Sequence, residues 1–325
     1  MSPPRLDLLA IGNAIVDVIA PVPDALVAEA GLVKGSMRLI GEAEALALHA
    51  RMEAAAPGHV REISGGSAAN SAVGVAALGG RAGFAGLLGP DRLGMLFRDD
   101  LEAAGVDYPA PICAEGTATA RCLILVTDDA QRSMCTFPGA AHCFSRDHLD
   151  EAQVAAAAIL YLEGYLWDSP GARTAMEHAI AIARAAGRKV ALTPSDIACV
   201  ERCGERFRAL INDGQIDLLF LNEAELAALA GSAAELAAQV ELLVVTHGAS
   251  GATVMRGGEA ASAPAAPVAQ VVDTTGAGDL FAAGFLYGHS QAAPLAECLR
   301  IGALAAGEVI SHFGARPVAD LKLLI

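Results

Sequence analysis

No Cys-x-x-Cys pair occurs among the seven cysteines of this 325-residue chain, at positions 113, 122, 135, 143, 199, 203 and 298. An odd, unpaired set of this kind offers neither a disulfide framework nor a dithiol redox motif, and a reduced cytoplasmic chain is expected. Cys199 and Cys203 are four apart but have no further Cys or His at zinc-like spacing, and helical spacing explains them equally well. The eight histidines show no H-x-x-x-H or H-E-x-x-H pattern. Basic residues are few, with 22 Lys+Arg against 37 Asp+Glu and a formal charge of −15. Nucleic acid and anionic membrane are excluded as partners, because both would be repelled over a wide field.

A long hydrophobic run is missing as well. The mean hydropathy of +0.44 comes largely from alanine, and no stretch approaches the roughly 18–20 apolar residues that cross a bilayer. Met1-Ser2-Pro3-Pro4-Arg5 leads directly into an apolar strand, without the hydrophobic segment of a signal peptide. What the chain does have is core material. Hydrophobic residues make up 54 % and charged ones 18 %, which rules out a disordered chain.

Short apolar runs alternate with longer helical patterns. Strands are expected at Leu6–Ile11, Ala82–Leu87, Ile159–Leu162, Val190–Thr193, Leu218–Leu221 and Leu242–Thr246. Helices are expected at Ala68–Leu78, Leu93–Ala104, Gly171–Ala186, Ala198–Ile211 and Glu223–Ala230, with more helix from Gly276 onward. Near-continuous apolar strands separated by helices predict a mainly parallel sheet covered on both faces. Two regions, Ile15–Ile40 and Thr117–Phe137, break this rhythm with β-rich pieces. They read either as a flap over the C-terminal edge of the sheet, where α/β proteins place ligands, or as decorated surface loops.

Two glycine clusters carry the chemistry. In Asp273-Thr274-Thr275-Gly276-Ala277-Gly278-Asp279 the glycines stand just before an apolar helical run. The backbone N–H groups and positive dipole end of such a helix attract an anion such as phosphate, and bare glycine lets it approach. Asp279 falls in the first turn, where a carboxylate can take a proton from a hydroxyl attacking phosphorus; Asp is also simply favoured there. A dinucleotide fingerprint would need glycine where Phe281 stands, and no Gly-Lys pair exists for a P-loop. The second cluster, Gly65-Gly66-Ser67-Ala68-Ala69-Asn70, combines bare backbone with a capping serine and an amide that both donates and accepts.

Together these stretches resemble the paired signatures of the PfkB, or ribokinase-like, family of sugar and nucleoside kinases. Asn222-Glu223-Ala224-Glu225 resembles the family's N-x-x-E motif, and Thr246-His247-Gly248-Ala249-Ser250-Gly251 its T-x-G-x-x-G nucleotide loop. The resemblance implies a three-layer α/β/α fold with a mainly parallel sheet and a small β-rich lid. It implies one kinase domain over 1–325, with the lid formed by insertions at about 14–48 and 110–137. It also implies ATP and Mg²⁺, a small-molecule acceptor, and a monomer or homodimer. Asp279 corresponds to the catalytic base, and Gly276, Ala277 and Gly278 to the anion hole. Thr246, Gly248, Gly251 and Asn222 would line the ATP site, with Glu225 ordering Mg²⁺ through water. Asp273 would help to hold a monovalent cation, K⁺ in several relatives.

The opening Gly12-Asn13-Ala14-Ile15-Val16-Asp17 resembles adenosine kinases within the family. Asp17 can accept from the two adjacent hydroxyls of a ribose, and Asn13, Gly65, Gly66 and Asn70 would complete the acceptor site. Gln131-Arg132-Ser133-Met134 resembles the lid strand of the same enzymes, and Arg132 would reach the γ-phosphate. Phe137, Tyr165 and Trp167 are candidates for stacking on a base. Adenosine is the expected acceptor, ahead of other purine nucleosides and a free sugar. The alternatives are a sugar kinase of the same family and a non-catalytic nucleotide-binding scaffold.

Overall fold

The computed structural model describes residues 4–129 and 131–325; Met1–Pro3 and Ala130 lie outside the described residues. The strands, in chain order, are β1 (Leu6–Ile11), β2 (Ile15–Pro21), β3 (Met37–Leu39), β4 (Arg61–Ser64), β5 (Ala82–Ala85), β6 (Ala120–Val126), β7 (Arg132–Phe137), β8 (Ala157–Glu163), β9 (Lys189–Thr193), β10 (Leu218–Asn222), β11 (Leu242–Thr246), β12 (Ala252–Arg256) and β13 (Glu259–Ala263). Eight form one sheet in the order β13-β12-β11-β10-β9-β8-β1-β5. Neighbours from β5 to β11 pair in parallel, and only the β11–β12 and β12–β13 pairings are antiparallel.

The alternation of side chains explains why these strands are apolar on both faces. In β1, Leu9 and Ile11 enter the core that holds Met176, Ile180 and Phe207, from the helices Pro170–Ala185 and Ile197–Asn212. Leu8 and Ala10 enter the opposite core with Val73, Phe97 and Phe285, from the helices Ser67–Ala77, Arg92–Ala103 and Ala277–Ser290. The architecture is therefore the expected three-layer α/β/α sandwich. The β12–β13 hairpin was not foreseen. Its strands, Ala-Thr-Val-Met-Arg and Glu-Ala-Ala-Ser-Ala, are short and poor in strand-favouring residues, and the Gly257-Gly258 turn between Arg256 and Glu259 makes it.

A second sheet, in the order β3-β7-β6-β2-β4, comes from the two regions that broke the rhythm. It reaches past residue 48 to β4, because the helix Glu42–Ala55 brings the chain back to pair antiparallel with β2. That helix and Asp24–Glu29 cover one face, burying Val18, Leu48, Met52, Leu123 and Leu125. Asp17 and Arg132 belong to the other strand phase and are half-buried.

The helix Ala277–Ser290 packs between Ser67–Ala77 and Leu295–Val309. A Cβ on Gly284 would lie 2.7 Å from Gly302 Cα, so the second contact is nearly backbone on backbone. Its N-terminus is held rigidly at the C-terminal edge of the main sheet. Among the described residues no helix is long and apolar enough to cross a membrane.

Candidate active site

At that edge lies a cleft of about 240 Å³, lined by Ser67, Tyr161, Ser195, Phe220, Asn222, Glu225, Thr246, Thr274 and residues 276–279, among others. Gly276 is the N-cap residue of the helix Ala277–Ser290, at φ 78, and no side chain caps that helix. Any Cβ at 276 would also meet Ala315 Cβ at 2.7 Å, so the turn requires glycine. The Ala277 amide turns back to Thr274 O at 3.3 Å. Those of Gly278 and Asp279 belong to the first turn and have no intrahelical acceptor. Gly278 has open space on its Cβ side.

Asp279 stands in this turn with both oxygens held. Ser67 Oγ donates to Oδ1 at 2.6 Å, and Asn70 Nδ2 donates to Oδ2 at 2.9 Å. Ser71 Oγ donates to its carbonyl at 3.0 Å. Burial raises the carboxyl above its ordinary range, against the lowering effect of Asn70 and Ser67. The result is an oriented carboxylate with increased proton affinity, as a general base requires. Ser67, expected as a helix cap, serves instead as this donor; Gly66 is the N-cap, at φ 86.

Asp17 arrives from β2 and reaches the backbone of Gly65, where a Cβ would lie 2.8 Å from Oδ2. Burial is the main cause that lifts its carboxyl to about 7; Arg132 and Arg316 oppose this, and Asp279 and Asp273 add to it. Asn70 Oδ1 is buried and has no hydrogen-bond partner among the described residues. An open carboxylate and an unpartnered carbonyl oxygen beside a base form a site that accepts from hydroxyl donors. Asn13 is held on the same side, its backbone and side-chain nitrogens both donating to Glu163 Oε1, at 2.6 and 2.7 Å.

On the other side of the cleft, Asn222 and Glu225 form a capping box. Asn222 Oδ1 accepts from the Glu225 amide at 2.9 Å, while Glu225 Oε2 and Oε1 accept from Asn222 N and Nδ2 at 3.0 and 2.7 Å. Burial raises the Glu225 carboxyl. Both residues still line the cleft, as does Thr246, and no lysine or arginine lines it. A polyphosphate entering there meets backbone amides, hydroxyls and acids but no fixed positive side chain, which suits a nucleotide that carries its own divalent cation. Gly248 and Gly251 lie outside the lining and close the tight turn after β11, with Gly251 at φ 96. His247 beside them is engaged by Glu223 and Thr253.

Arg132 and Asp273 meet each other. Arg132 Nη1 donates to Asp273 Oδ1 at 2.6 Å and also to Thr275 Oγ1, joining the lid sheet to the glycine loop. Thr275 N and Oγ1 donate to the same Oδ1, and Gly314 N donates to Oδ2 at 3.3 Å. Burial alone would raise Asp273, but Thr275, Arg132 and Gly314 outweigh it and hold the carboxyl below its ordinary range. Both oxygens that were expected to help a monovalent cation are thus engaged, and a guanidinium stands beside them. Of the three aromatic candidates, Phe137 is part of the lid core and Trp167 packs edge-on against Phe207 at 5.7 Å. Tyr165 remains half-buried, its hydroxyl within the field of Asp196 and Asp279. The residue that sequence reasoning missed is Glu163, whose one signal was an acid ending an otherwise apolar strand.

Comparison with known proteins gives the family and the fold. The model of the pfkB family carbohydrate kinases matches residues 8–321. The crystal structure of adenosine kinase from Sinorhizobium meliloti superposes with a TM-score of 0.89 at 42 % identity, covering 98 % of both chains. A probable sugar kinase from Rhizobium etli gives 0.90 at 40 % identity, covering 99 % of this chain and 98 % of that one. An ATP-dependent ribose-1-phosphate kinase from Halopiger xanaduensis is 35 % identical over 231 residues, which is 70 % of this chain and 73 % of that protein.

Proposed function

Because the chain belongs to the pfkB family of carbohydrate kinases, whose members are phosphotransferases acting on hydroxyl groups, we propose that it transfers the γ-phosphate of MgATP to the primary hydroxyl of a nucleoside, with adenosine the first choice. The observation that carries this reading is the Asp279 carboxylate, oriented by Ser67 and Asn70 at a helix N-terminus whose Gly278 and Asp279 amides have no intrahelical acceptor. The 42 % identity to an adenosine kinase over nearly the whole chain supports the nucleoside.

In this mechanism Asp17, Asn13 and Asn70 hold the ribose hydroxyls, with Gly65 and Gly66 giving the sugar access to bare backbone. Asp279 takes the proton of the 5′-hydroxyl as its oxygen bonds to the γ-phosphorus. The bond from that phosphorus to the β-phosphate oxygen breaks, and ADP leaves. Gly276–Gly278 amides meet the charge on the transferred group, and Arg132 adds to them after exchanging Asp273 for phosphate. Thr246, Asn222 and the turn at Gly248–Gly251 bound the nucleotide. Asn222 and Glu225 would hold Mg²⁺ through water, and the ion neutralises phosphate charge when bound. Lid closure excludes water as a competing nucleophile. A K⁺ requirement would have to be met around an already engaged Asp273, so activity is compared with and without K⁺. The seven free cysteines, six of them buried, support a reducing, cytoplasmic setting for a monomer or homodimer.

A second reading keeps the mechanism and changes the acceptor to a sugar or sugar phosphate. It is favoured by the loss of Phe137 and Trp167 to the core and by the ribose-1-phosphate kinase relative. A panel of nucleosides, free sugars and ribose 1-phosphate assayed with MgATP decides between them. Stoichiometric AMP and ADP from adenosine is the expected result. Turnover of a sugar or sugar phosphate with none of adenosine would overturn the nucleoside assignment.

A further inference from the structure

Glu163 ends β8 fully buried, outside the lining of the cleft, and its carboxylate receives three N–H donors. Two come from Asn13 at 2.6 and 2.7 Å, and the third is the Ala68 amide, at 2.8 Å to Oε2. Among the described residues no lysine, arginine or histidine pairs with it. Every partner is a donor, so only an acceptor on both oxygens satisfies the arrangement, which is the ionised acid. Burial pushes the opposite way and lifts the group to about 7, with the Ala68 and Asn13 hydrogen bonds opposing that rise and Asp279 adding to it. A buried acid kept at this cost, with no exposed surface of its own, calls for a role.

Its partners supply one. Asn13 opens the loop between β1 and β2 on the acceptor side. Ala68 lies in the first turn of a helix whose N-cap residue, Gly66, has no side chain to cap it, so Glu163 provides the negative charge at this N-terminus from another element. The same turn of that helix carries Ser67 and Asn70, the two donors to Asp279. Gly12 passes so close that an added Cβ would collide with Glu163 Oε2 and Ala68 Cβ. One carboxylate therefore joins the segment that grips the acceptor to the segment that aims the base.

We propose that Glu163 is a positioning residue for phosphoryl transfer, fixing Asn13 and the start of the helix Ser67–Ala77 so that acceptor and base share one geometry. The inference rests on the acceptor-site reading given above for Asn13.

The test is steady-state kinetics of Glu163→Gln with the acceptor that the panel identifies. Glutamine keeps the volume but turns one oxygen into a donor facing a donor. Expected is a fall of about 10- to 100-fold in acceptor kcat/KM, the size of one hydrogen bond to a charged group. The MgATP KM should stay within about twofold, since the nucleotide contacts are untouched. In an Asn13→Ala background the same substitution should lose most of its effect on acceptor KM, because one residue acts partly through the other. Effects that simply multiply, or that raise the KM of MgATP and acceptor alike, would overturn the proposal. If Glu163→Gln does not fold, Gly12→Ala strains the same joint with the acid in place and should show the same selective loss. Unchanged acceptor kinetics in Gly12→Ala would count against it. Failure of the acceptor-site reading is distinguishable: Asn13→Ala alone would then leave acceptor KM unchanged in an enzyme that still turns over.

Discussion

Replacing Asp279 with Asn removes the proposed base while leaving its surroundings nearly intact. The amide oxygen can still accept from Asn70 Nδ2, now 2.9 Å from Oδ2, and the new NH₂ can face Ser67 Oγ, whose hydroxyl rotates to accept. The Gly276 turn is fixed by Ala315 and does not depend on the carboxylate. The lost function is proton acceptance, worth about 10²- to 10⁴-fold, or about 3–5 kcal/mol in the barrier. Stability should move the other way. The Asp279 carboxyl is raised by burial, so the ionised acid is costly in the folded state and a neutral amide removes that cost. The assay is kcat and MgATP KM from coupled ADP release, with thermal melting beside it. We expect kcat to fall by at least about 100-fold, an MgATP KM within about threefold of wild type, and a Tm equal to or above wild type. Turnover within about tenfold of wild type would refute the base assignment. A lower Tm together with a raised MgATP KM would show that the carboxylate organises the loop instead.

Acceptor kcat/KM should rise with pH through about 7, the range to which Asp17 is lifted, because only the ionised carboxylate accepts two hydroxyls; Asp17→Asn should be low throughout and keep only the smaller rise that follows Asp279 and Glu163. Asp17 has a folded value above the ordinary aspartate value of 3.8, so its contribution to stability is present below about 4 and lost as pH rises through about 7. Asp17→Asn should therefore gain stability relative to wild type at pH 8 and not at pH 4, as read by urea denaturation at each pH. Arg132→Ala should lower kcat by about 10- to 1,000-fold through loss of a charge on the transferred phosphoryl group, and should also cost stability by leaving Asp273 buried without its ion pair. Unchanged kcat would separate Arg132 from the chemistry. Gly284→Val inserts atoms where Gly302 Cα already stands 2.7 Å from a Cβ position. It should destabilise the fold by about 1–3 kcal/mol or more by overpacking, seen as a lower Tm.

Much of the fold was legible because its signals are local. Burial on both faces makes the strands apolar runs, and β1 and β11 have the very limits expected of them. The glycine loop before Asp279 was legible for the same reason, as contiguous residues that form a helix start whatever lies around them. The hairpin β12–β13 was not, because its strands are only five residues long and the second, Glu-Ala-Ala-Ser-Ala, has no strand pattern. Nor was the capping box of Asn222 and Glu225 separable from a magnesium motif, since both need the same residues three apart.

What the sequence determined by itself was therefore the class of fold, the glycine-led helix N-terminus, and the acid in its first turn. The tertiary structure decided which groups share one enclosed space. Asn70 and Ser67 reach Asp279 across separations of 209 and 212 residues. Arg132 meets Asp273 across 141, and Glu163 joins Asn13 across 150. The proton affinities of Asp17, Glu163 and Asp279 follow from those meetings. Burial and neighbouring charge set them, and both are properties of the folded chain.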